Sequence, residues 1–341
     1  MYQWSEASGM QGVSVSRLLA DSEFPVLVTP SSAIPDPIAW ARLNRDAVDQ
    51  LIYRHGALLF RGFALNGAAD FQSFVDALCP ASWADYREAS TPRSNVLGHV
   101  FTSTEYPADF RIYVHNENSH VTSWPMYLFF YCRIPADQGG ETPIANCRGV
   151  YQRLPTSVRE RLEKTGWLYR RNFHDGSSFT WQKTFGTDRK KDVDDYCAAN
   201  YMVRQWKGDS LIVRYRRWAA LEHPRSGEMV WFNHGTFFNP HVLEPSMKSS
   251  VLALGEDRMP YNTYYGDGSP LEEETIRILD AAYAAETVSF PWRAKDLLML
   301  DNMRFAHGRS SFKGKREVLV AMKQKTSCTE VARPDQFAPP R

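Results

Sequence analysis

The triplet His115-Asn116-Glu117, together with His307 far along the chain, constrains this sequence more than any other feature. Residues 111–117 alternate apolar and polar side chains, which predicts a β-strand that enters a turn. Side chains two apart on a strand point to the same face, so His115 and Glu117 could bind one ion without distortion of the backbone. Two imidazoles and one carboxylate are the ligands of mononuclear non-haem iron(II) oxygenases, which leave the opposite face of the metal open. Such a triplet also arises by chance, so the interpretation depends on its partners.

An oxygenase of this kind that uses a 2-oxo acid also needs a cation to bind the distal carboxylate of that co-substrate. Arg316 is the favoured candidate, because the turn at Gly314 lets the following strand return antiparallel toward His307. A planar guanidinium can bind a carboxylate through two parallel hydrogen bonds. Arg309, two residues after His307, is the alternative. Thr142 follows two glycines that permit close backbone approach and could donate its hydroxyl to the same carboxylate, although a solvated turn threonine explains the pattern almost as well.

Six polar residues near these motifs are candidates for contact with a substrate: Tyr113, Asn118, Asn233, Asn302, Arg304 and Arg309. Tyr113 shares the expected strand face of His115. The asparagines at 233 and 302 follow apolar runs that should end at the mouth of a barrel, where an amide could orient a substrate or support a metal ligand. The two arginines flank His307 and could meet an anionic group, with a solvated or salt-bridged role as the alternative.

Three other histidines, His120, His234 and His241, could be mistaken for ligands. His120 is expected to line the cleft or to form a local hydrogen bond. For the other two, a structural role is favoured over contact with a substrate.

The charge balance argues against a nucleic-acid or anionic-membrane partner. Lys and Arg number 40 and Asp and Glu number 39, so the chain has no strong long-range field. Residues 214–218 interleave cations and aromatics, a weak pattern for single-stranded nucleic acid. With near-neutral charge, an exposed strand or a surface for an acidic carrier protein is the better interpretation.

No stretch approaches the roughly 20 apolar residues of a membrane span, and the N-terminus lacks an export-signal pattern. The five cysteines are scattered and show no CxxC spacing, which argues against a zinc ribbon or a thioredoxin-type site. We therefore expect a cytoplasmic protein with buried free thiols, in a compartment that also supplies ferrous iron.

Short strands with turn signals and a few helices predict a β sandwich or jelly roll rather than an alternating βαβ sheet. Expected strands include 57–63, 127–132 and 297–302, with short β-like runs over 167–232. Helices are expected at 38–55, ended by Gly56, and at 70–78, 147–165 and 272–286. Residues 188–192 should form a solvated loop.

We expect one domain over residues 1–325, with N-terminal helices and inserted lid segments. The lids should lie at 72–104, 174–188 and 237–244, and their shape cannot be derived from the motifs. Residues 326–341 are polar and proline-rich, which predicts an irregular C-terminal tail. The oligomeric state is not encoded in any motif.

The motifs between about Ala57 and Met322 resemble, in order, those of the TauD/TfdA family of iron(II)- and 2-oxoglutarate-dependent dioxygenases. The residues that carry the resemblance are His115-Asn116-Glu117, Trp124-Pro125, Phe130-Tyr131-Cys132, Gly139-Gly140-Glu141-Thr142-Pro143 and His307-Gly308-Arg309 with Arg316. Further support comes from Ser103-Thr104-Glu105-Tyr106-Pro107, Glu222-His223-Pro224, Gly227-Glu228, Trp231-Phe232-Asn233 and Asp296-Leu297-Leu298-Met299-Leu300-Asp301-Asn302.

The resemblance implies a mostly β fold with flanking helices, a double-stranded β-helix of the jelly-roll, cupin-like type. It also implies that His115, Glu117 and His307 are the iron ligands and the catalytic residues. Arg316, assisted by Thr142, would bind 2-oxoglutarate. Turnover would consume O2 and release succinate and CO2.

Two departures from the most familiar members refine this expectation. Glutamate stands where those members carry aspartate, which resembles the SyrP-like and clavaminate-synthase-like branch acting on amino acids or carrier-tethered amino acyl groups. The interval from His307 to Arg316 is shorter than in taurine dioxygenase, which disfavours taurine or a simple sulfonate. Glu117 also argues against a halogenase, because halogenases replace the carboxylate with a small residue.

The leading hypothesis is an oxygenase that hydroxylates an aliphatic carbon of an amino-acid-derived substrate, free or carrier-tethered, in natural-product biosynthesis. Desaturation, epoxidation or cyclisation would need the same ligands. The alternative within enzymes is a catabolic dioxygenase that cleaves a small sulfonate, ether or betaine. A non-catalytic jelly-roll binding protein is disfavoured, because a structural metal site normally has a fourth protein ligand.

Overall fold

The structure, a computed structural model, describes residues 9–81, 94–104, 106–174 and 180–338. The strands in these ranges are β1 (Val13–Arg17), β2 (Val26–Pro30), β3 (Ala57–Phe60), β4 (Asn95–Leu97), β5 (Val100–Thr102), β6 (Ile112–His115), β7 (Ser123–Ile134), β8 (Gln138–Gly139), β9 (Ile144–Asn146), β10 (Trp167–Phe173), β11 (Met202–Lys207), β12 (Ser210–Arg217), β13 (Leu221–Glu222), β14 (Met229–Val230), β15 (Tyr261–Tyr265), β16 (Thr287–Val288), β17 (Leu297–Asp301), β18 (Phe305–Arg309), β19 (Phe312–Lys313) and β20 (Glu317–Ser327). The helices are α1 (Pro37–Leu43), α2 (Arg45–His55), α3 (Ala68–Leu78), α4 (Cys147–Arg153), α5 (Thr156–Thr165), α6 (Trp181–Phe185), α7 (Lys190–Ala199), α8 (Pro245–Ala253), α9 (Glu273–Ala285) and α10 (Cys328–Val331), with short 3-10 helices at Pro240–Val242 and Pro334–Gln336.

Two facing sheets form the barrel. The larger sheet has the strand order β1-β2-β3-β17-β7-β20-β5-β4, and the smaller one has the order β16-β9-β18-β6. Only the pairing of β2 with β3 is parallel within these two sheets. Phe130 of β7 and His307 of β18 approach across the barrel, with ring centroids 4.9 Å apart. This arrangement confirms the prediction of a mostly β jelly roll with flanking helices.

Burial of both faces of strand β7 explains why its sequence is apolar without interruption. Alternate side chains of a strand point to opposite faces, and both faces of β7 are covered. Phe129 and Tyr131 join the main buried cluster, which includes apolar residues of α1 to α3. Phe130 and Cys132 join a second cluster that lies between the two sheets. His307, which contacts Phe130, lies on this second side.

Two predicted helices are each divided in two. The helix expected at 38–55 is interrupted at Asn44, whose side-chain amide donates to the carbonyl of Trp40, while Gly56 ends α2 in the left-handed conformation as predicted. The helix expected at 147–165 is interrupted at Leu154 and Pro155. A residue before proline is disfavoured in helical geometry, and Leu154 is extended, with φ −65° and ψ 132°.

Two other local predictions need correction. Residues 188–192 are not wholly a loop, because α7 begins at Lys190. The tail is not wholly irregular, because β20 extends to Ser327 and α10 follows directly. Phe337 is buried against the main cluster. The part of the described chain between 167 and 265 also contains an additional sheet with the strand order β11-β12-β10-β15.

All five cysteines are buried free thiols, as expected. No helix in the described residues combines the length and the apolar character needed to cross a membrane.

Candidate metal centre

Strands β6 and β18 bring the three predicted metal ligands together. The two strands are antiparallel, and His307 pairs directly with His115 in their register. One donor atom from each of His115, Glu117 and His307 lies within 4.8 Å of the others. All three side chains are buried, with 4–6% of each residue exposed. His307 Nε2 lies 3.7 Å from Glu117 Oε2.

The backbone fixes the orientation of the first imidazole. Nδ1 of His115 lies 2.9 Å from the carbonyl oxygen of Tyr113. A carbonyl only accepts, so this nitrogen carries the hydrogen, and Nε2 is left with a lone pair for a metal.

Glu117 reaches the site from a turn and not from the strand, contrary to the sequence prediction. Strand β6 ends at His115, so the rule of alternate strand faces does not place the carboxylate. Asn302 does so instead. Its Oδ1 accepts the backbone N–H of Glu117 at 2.8 Å, and its Nδ2 donates to the carbonyl of Glu117 at 2.9 Å. The same Nδ2 also donates to the carbonyl of Pro125 at 2.8 Å, which ties the turn to β7.

Asn116, the middle residue of the triplet, is held through its side-chain amide and through its backbone carbonyl. Asn116 Nδ2 donates to the carbonyl of Asn302 at 2.6 Å. The carbonyl of Asn116 accepts from the hydroxyl of Ser119 at 2.9 Å, and Nδ1 of His234 lies 3.2 Å from it. Asn116 is fully buried.

Aromatic rings surround the imidazole of His115. The ring of Phe237 lies 4.5 Å from it and that of His234 lies 5.2 Å from it. His120 packs against His234, with ring centroids 4.7 Å apart. Burial lowers the pKa of His234 well below its usual range, with further lowering from the neighbouring His120 and His115. His234 is therefore a neutral ring at physiological pH.

A pocket beside the two histidines contains the predicted co-substrate residues. It is a small cavity of about 30 Å³, and its lining includes His115, Phe130, Thr142, His307 and Arg316.

The contacts of Arg316 show how its guanidinium is oriented. Its Nε donates to the carbonyl of Gly140 at 2.7 Å. Nη1 lies 3.2 Å from Ser103 Oγ, and Nη2 lies 3.5 Å from Thr142 Oγ1. The hydroxyl oxygen of Thr142 also accepts from Nε1 of Trp292 at 3.1 Å. Burial lowers the pKa of Arg316 to about 10, and the charge of Arg309 contributes in the same direction, so the side chain is a cation at neutral pH.

Arg309 lines the same pocket, but its terminal nitrogens are occupied. Nη1 donates to the carbonyl of Tyr106 at 2.8 Å, and Nη2 donates to those of Pro107 and Phe110 at 2.6 and 2.7 Å. Arg309 thus holds segment 106–110 against β18. A carboxylate could bind Arg309 only by displacing these carbonyls, which favours Arg316 as the residue that binds the co-substrate.

The other candidate substrate residues lie elsewhere. Tyr113 turns toward α9, where its hydroxyl donates to Asp280 at 2.9 Å. The Asn233 amide bridges the backbone of Ala219 and Gly235. Arg304 donates to the carbonyl of Tyr53 at the end of α2. Asn118 lines a separate surface groove together with Tyr196, Asn200 and Cys328. None of these four side chains lines the described pocket beside the histidines.

The lid segments are described in part. Residues 82–93 and 175–179 of the predicted lids lie outside the described residues. In the third lid, Phe237 contacts His115, and Glu244 pairs with Arg111 at 3.1 Å. The Tyr106 hydroxyl lies 3.7 Å from Met247 Sδ, just beyond that lid. These contacts place the 237–244 segment and its flank beside segment 106–111.

The donor set fits a divalent iron ion. Two imidazole nitrogens and one carboxylate oxygen lie within 4.8 Å of one another, and no fourth His, Cys, Asp or Glu joins the group within the described parts of the chain. Iron of the facial-triad type needs open positions for co-substrate and gas. A cationic pocket beside the ligands suits a dicarboxylic co-substrate.

Comparisons with known proteins agree with this geometry. The family model described as "Taurine catabolism dioxygenase TauD, TfdA family" matches residues 25–322. The dapdiamide synthesis protein DdaC of Enterobacter agglomerans is 36% identical over 311 residues, which cover 91% of this chain and 94% of that protein. A clavaminate synthase-like protein of Arabidopsis thaliana is 31% identical over 320 residues, which cover 88% of this chain and 93% of that protein.

The fold is also found in a solved structure. That structure is of PvcB, described as an Fe, alpha-ketoglutarate dependent oxygenase from an isonitrile synthetic pathway. It matches with a TM-score of 0.57 and 16% identity, over 95% of this chain and 97% of that one. At this identity the likeness shows the shared jelly-roll fold.

Proposed function

This chain belongs to the TauD/TfdA family of iron(II)- and 2-oxoglutarate-dependent dioxygenases, and we propose that it oxidises an aliphatic carbon of an amino-acid-derived substrate in natural-product biosynthesis. Hydroxylation is the proposed outcome. The observation that carries the proposal is the buried convergence of two imidazoles and one carboxylate beside a cationic pocket.

We propose that His115, Glu117 and His307 hold the iron. Nε2 is the metal-binding nitrogen of His115, because its other ring nitrogen donates to a backbone carbonyl. The Phe130 ring packs against His307 from the opposite sheet. These contacts restrict both imidazoles before a metal arrives, so less ordering is needed on binding.

Arg316 and Thr142 are proposed to bind the distal carboxylate of 2-oxoglutarate. Among the residues that the structure describes, Nη1 and Nη2 of Arg316 contact hydroxyl groups at the longer distances of 3.2 and 3.5 Å. A carboxylate can replace these contacts with two charge-assisted hydrogen bonds. The bond from Nε to the Gly140 carbonyl can remain and orient the guanidinium.

When bound by these residues, iron(II) would supply the oxidative chemistry, in which O2 and 2-oxoglutarate are converted to succinate and CO2 as a substrate C–H bond is oxidised. The protein positions the reactants and limits access of water. Apolar side chains of Ile112, Phe130 and Val320 line the co-substrate pocket, and Phe237 covers the ring of His115.

The substrate class rests on the relatives. The name of DdaC, which is 36% identical to this chain, assigns that protein to dapdiamide synthesis. The glutamate at position 117 supports the same branch of the family. We also propose that the chain forms a single catalytic domain, because one main buried cluster contains residues from Met10 to Phe337.

Succinate formation tests the activity. The protein is incubated with iron(II), 2-oxoglutarate and O2 and three substrate panels: free amino acids, carrier-tethered amino acyl groups, and small sulfonates, ethers and betaines. We expect one of the first two panels to raise succinate formation and to consume one O2 per oxidised product. Coupled turnover with the third panel alone would contradict the proposed substrate class and leave the enzyme class intact.

A matched pair of variants ties the activity to the proposed site. Arg316→Ala should weaken the binding of 2-oxoglutarate and so raise the concentration of it that turnover needs. Arg304→Ala should leave that concentration unchanged, because Arg304 binds backbone carbonyls at α2. Succinate formation that survives His115→Ala would contradict the ligand assignment.

A further inference from the structure

His234 lies against the proposed metal centre, although it is not one of the three converging ligands. Its ring is 1% exposed and meets the ring of His115 edge to face, with centroids 5.2 Å apart and an angle of 76°. Phe237 and Phe238 enclose the same ring at 4.6 and 4.7 Å. The backbone N–H of His234 donates to the hydroxyl of Tyr169 at 3.0 Å, which fixes the loop that carries it.

The polar contacts of the ring all involve one nitrogen. Nδ1 lies 3.2 Å from the carbonyl oxygen of Asn116 and 3.2 Å from Ser119 Oγ. The Ser119 hydroxyl already donates to that carbonyl at 2.9 Å. Because a carbonyl only accepts, the contact with Asn116 is attractive only when Nδ1 carries a hydrogen. Nε2 is buried and has no hydrogen-bond partner among the residues that the structure describes.

The carbonyl that receives this hydrogen bond belongs to the residue between two proposed ligands. Asn116 separates His115 from Glu117, and the strand ends before the carboxylate is reached. The turn continues through Asn118, whose φ is +56°. A turn lacks the ladder of hydrogen bonds that fixes side chains along a strand, so other groups have to set the spacing of the two ligands.

We propose that His234 is a positioning residue of the metal centre. Its Nδ1–H holds the Asn116 carbonyl. Asn302 holds the same turn from the other side, through its carbonyl and its side-chain amide. The two together keep His115 and Glu117 at the separation that one ion requires. This inference rests on the proposed ligand assignment.

Three substitutions separate the hydrogen bond from the bulk of the ring. His234→Asn places an N–H donor near the position of Nδ1. His234→Gln places its amide near the position of Nε2, and His234→Phe keeps a ring without any donor. We expect the Asn variant to bind iron(II) within about 3-fold of the wild type, and the Gln and Phe variants to bind it roughly 10- to 100-fold more weakly, the usual cost of losing a group that supports a metal ligand.

Two measurements need no substrate. The first is the anaerobic iron(II) dissociation constant, and the second is the visible charge-transfer absorption of the iron–2-oxoglutarate chelate, which changes with ligand geometry. Melting temperatures of the metal-free proteins show whether each variant folds. If the Phe variant does not fold, the Asn and Gln variants, which carry the same functional group, still decide the matter.

Wild-type iron affinity in the Gln and Phe variants would overturn the proposal, and so would an Asn variant as weak as those two. His115→Ala serves as the reference for ligand loss. If it abolishes iron binding while all three variants of His234 bind normally, the ligand assignment stands and only the positioning role fails. If it binds iron as the wild type does, the ligand assignment itself fails.

Discussion

Replacing Arg316 with leucine should remove the recognition of the distal carboxylate of 2-oxoglutarate. A hydrogen bond to a charged group contributes about 1.5–3 kcal/mol, and the two terminal nitrogens could form two of them. In the free protein those nitrogens already contact Ser103 and Thr142, at 3.2 and 3.5 Å, and these contacts are lost on binding. We therefore take the lower end of the sum for two such hydrogen bonds, about 3 kcal/mol. This free energy corresponds to roughly a 100-fold change in the dissociation constant.

The assay is an anaerobic titration of the iron(II) protein with 2-oxoglutarate and with 2-oxopentanoate, which has a methyl group in place of the distal carboxylate. The wild type should prefer 2-oxoglutarate by roughly 100-fold, from the same 3 kcal/mol. Arg316→Leu should bind both acids about equally and about as weakly as the wild type binds 2-oxopentanoate. Arg304→Leu is the matched control, because its guanidinium binds the backbone at α2.

The comparison of the two acids distinguishes loss of carboxylate recognition from general effects of the substitution on stability or metal binding. A variant that is merely less stable or binds less metal loses affinity for both acids and keeps its preference. If Arg316→Leu still prefers 2-oxoglutarate by roughly 100-fold, the reasoning is refuted. Arg309 would then have to release the carbonyls of segment 106–110 to bind the carboxylate.

Three other outcomes are expected. His115→Ala should abolish turnover without loss of the fold, as measured by succinate formation and circular dichroism; an active variant would exclude it as a ligand. Asn302→Ala should weaken iron(II) binding by roughly 10-fold or more, whereas Asn172→Ala, which removes another buried amide that donates to the carbonyls of Glu256 and Met259, should alter only the melting temperature; equal iron affinities in the two variants would contradict this. Burial raises the pKa of Cys147 to about 12, and all five cysteines are buried, so a thiol reagent at pH 8 should react slowly until the protein is denatured; rapid labelling of the native protein would argue against the described packing.

The sequence predicted the elements whose pattern is set locally. The run of β7 is apolar on both faces because both faces are covered, and the C-terminal glycine of α2 has the conformation expected of a helix end. The break at Asn44 was missed, since helical periodicity continues across it, whereas the break at Leu154 could have been predicted from Pro155. The start of α7 at Lys190 was missed because a charged sequence is compatible with either a solvated loop or an exposed helix.

The site was predicted less completely than the fold. Ligand types and order can be read from the chain, but the position of Glu117 depends on Asn302, a tertiary contact. Arg304 and Arg309 both lie within three residues of His307 in sequence, yet one faces α2 and the other faces segment 106–110. The support of Thr142 by Trp292 could not be foreseen, because no local pattern joins these two residues.

The direct pairing of His307 with His115 has a consequence for how the protein matures. During synthesis the first imidazole emerges long before the second, and a shift of one residue between their strands would turn one of them to the other face of the sheet. An ion that needs both imidazoles therefore binds tightly only after the late strand has found its correct neighbour. An ion that binds only the native pairing would also stabilise the native state relative to states with a shifted register.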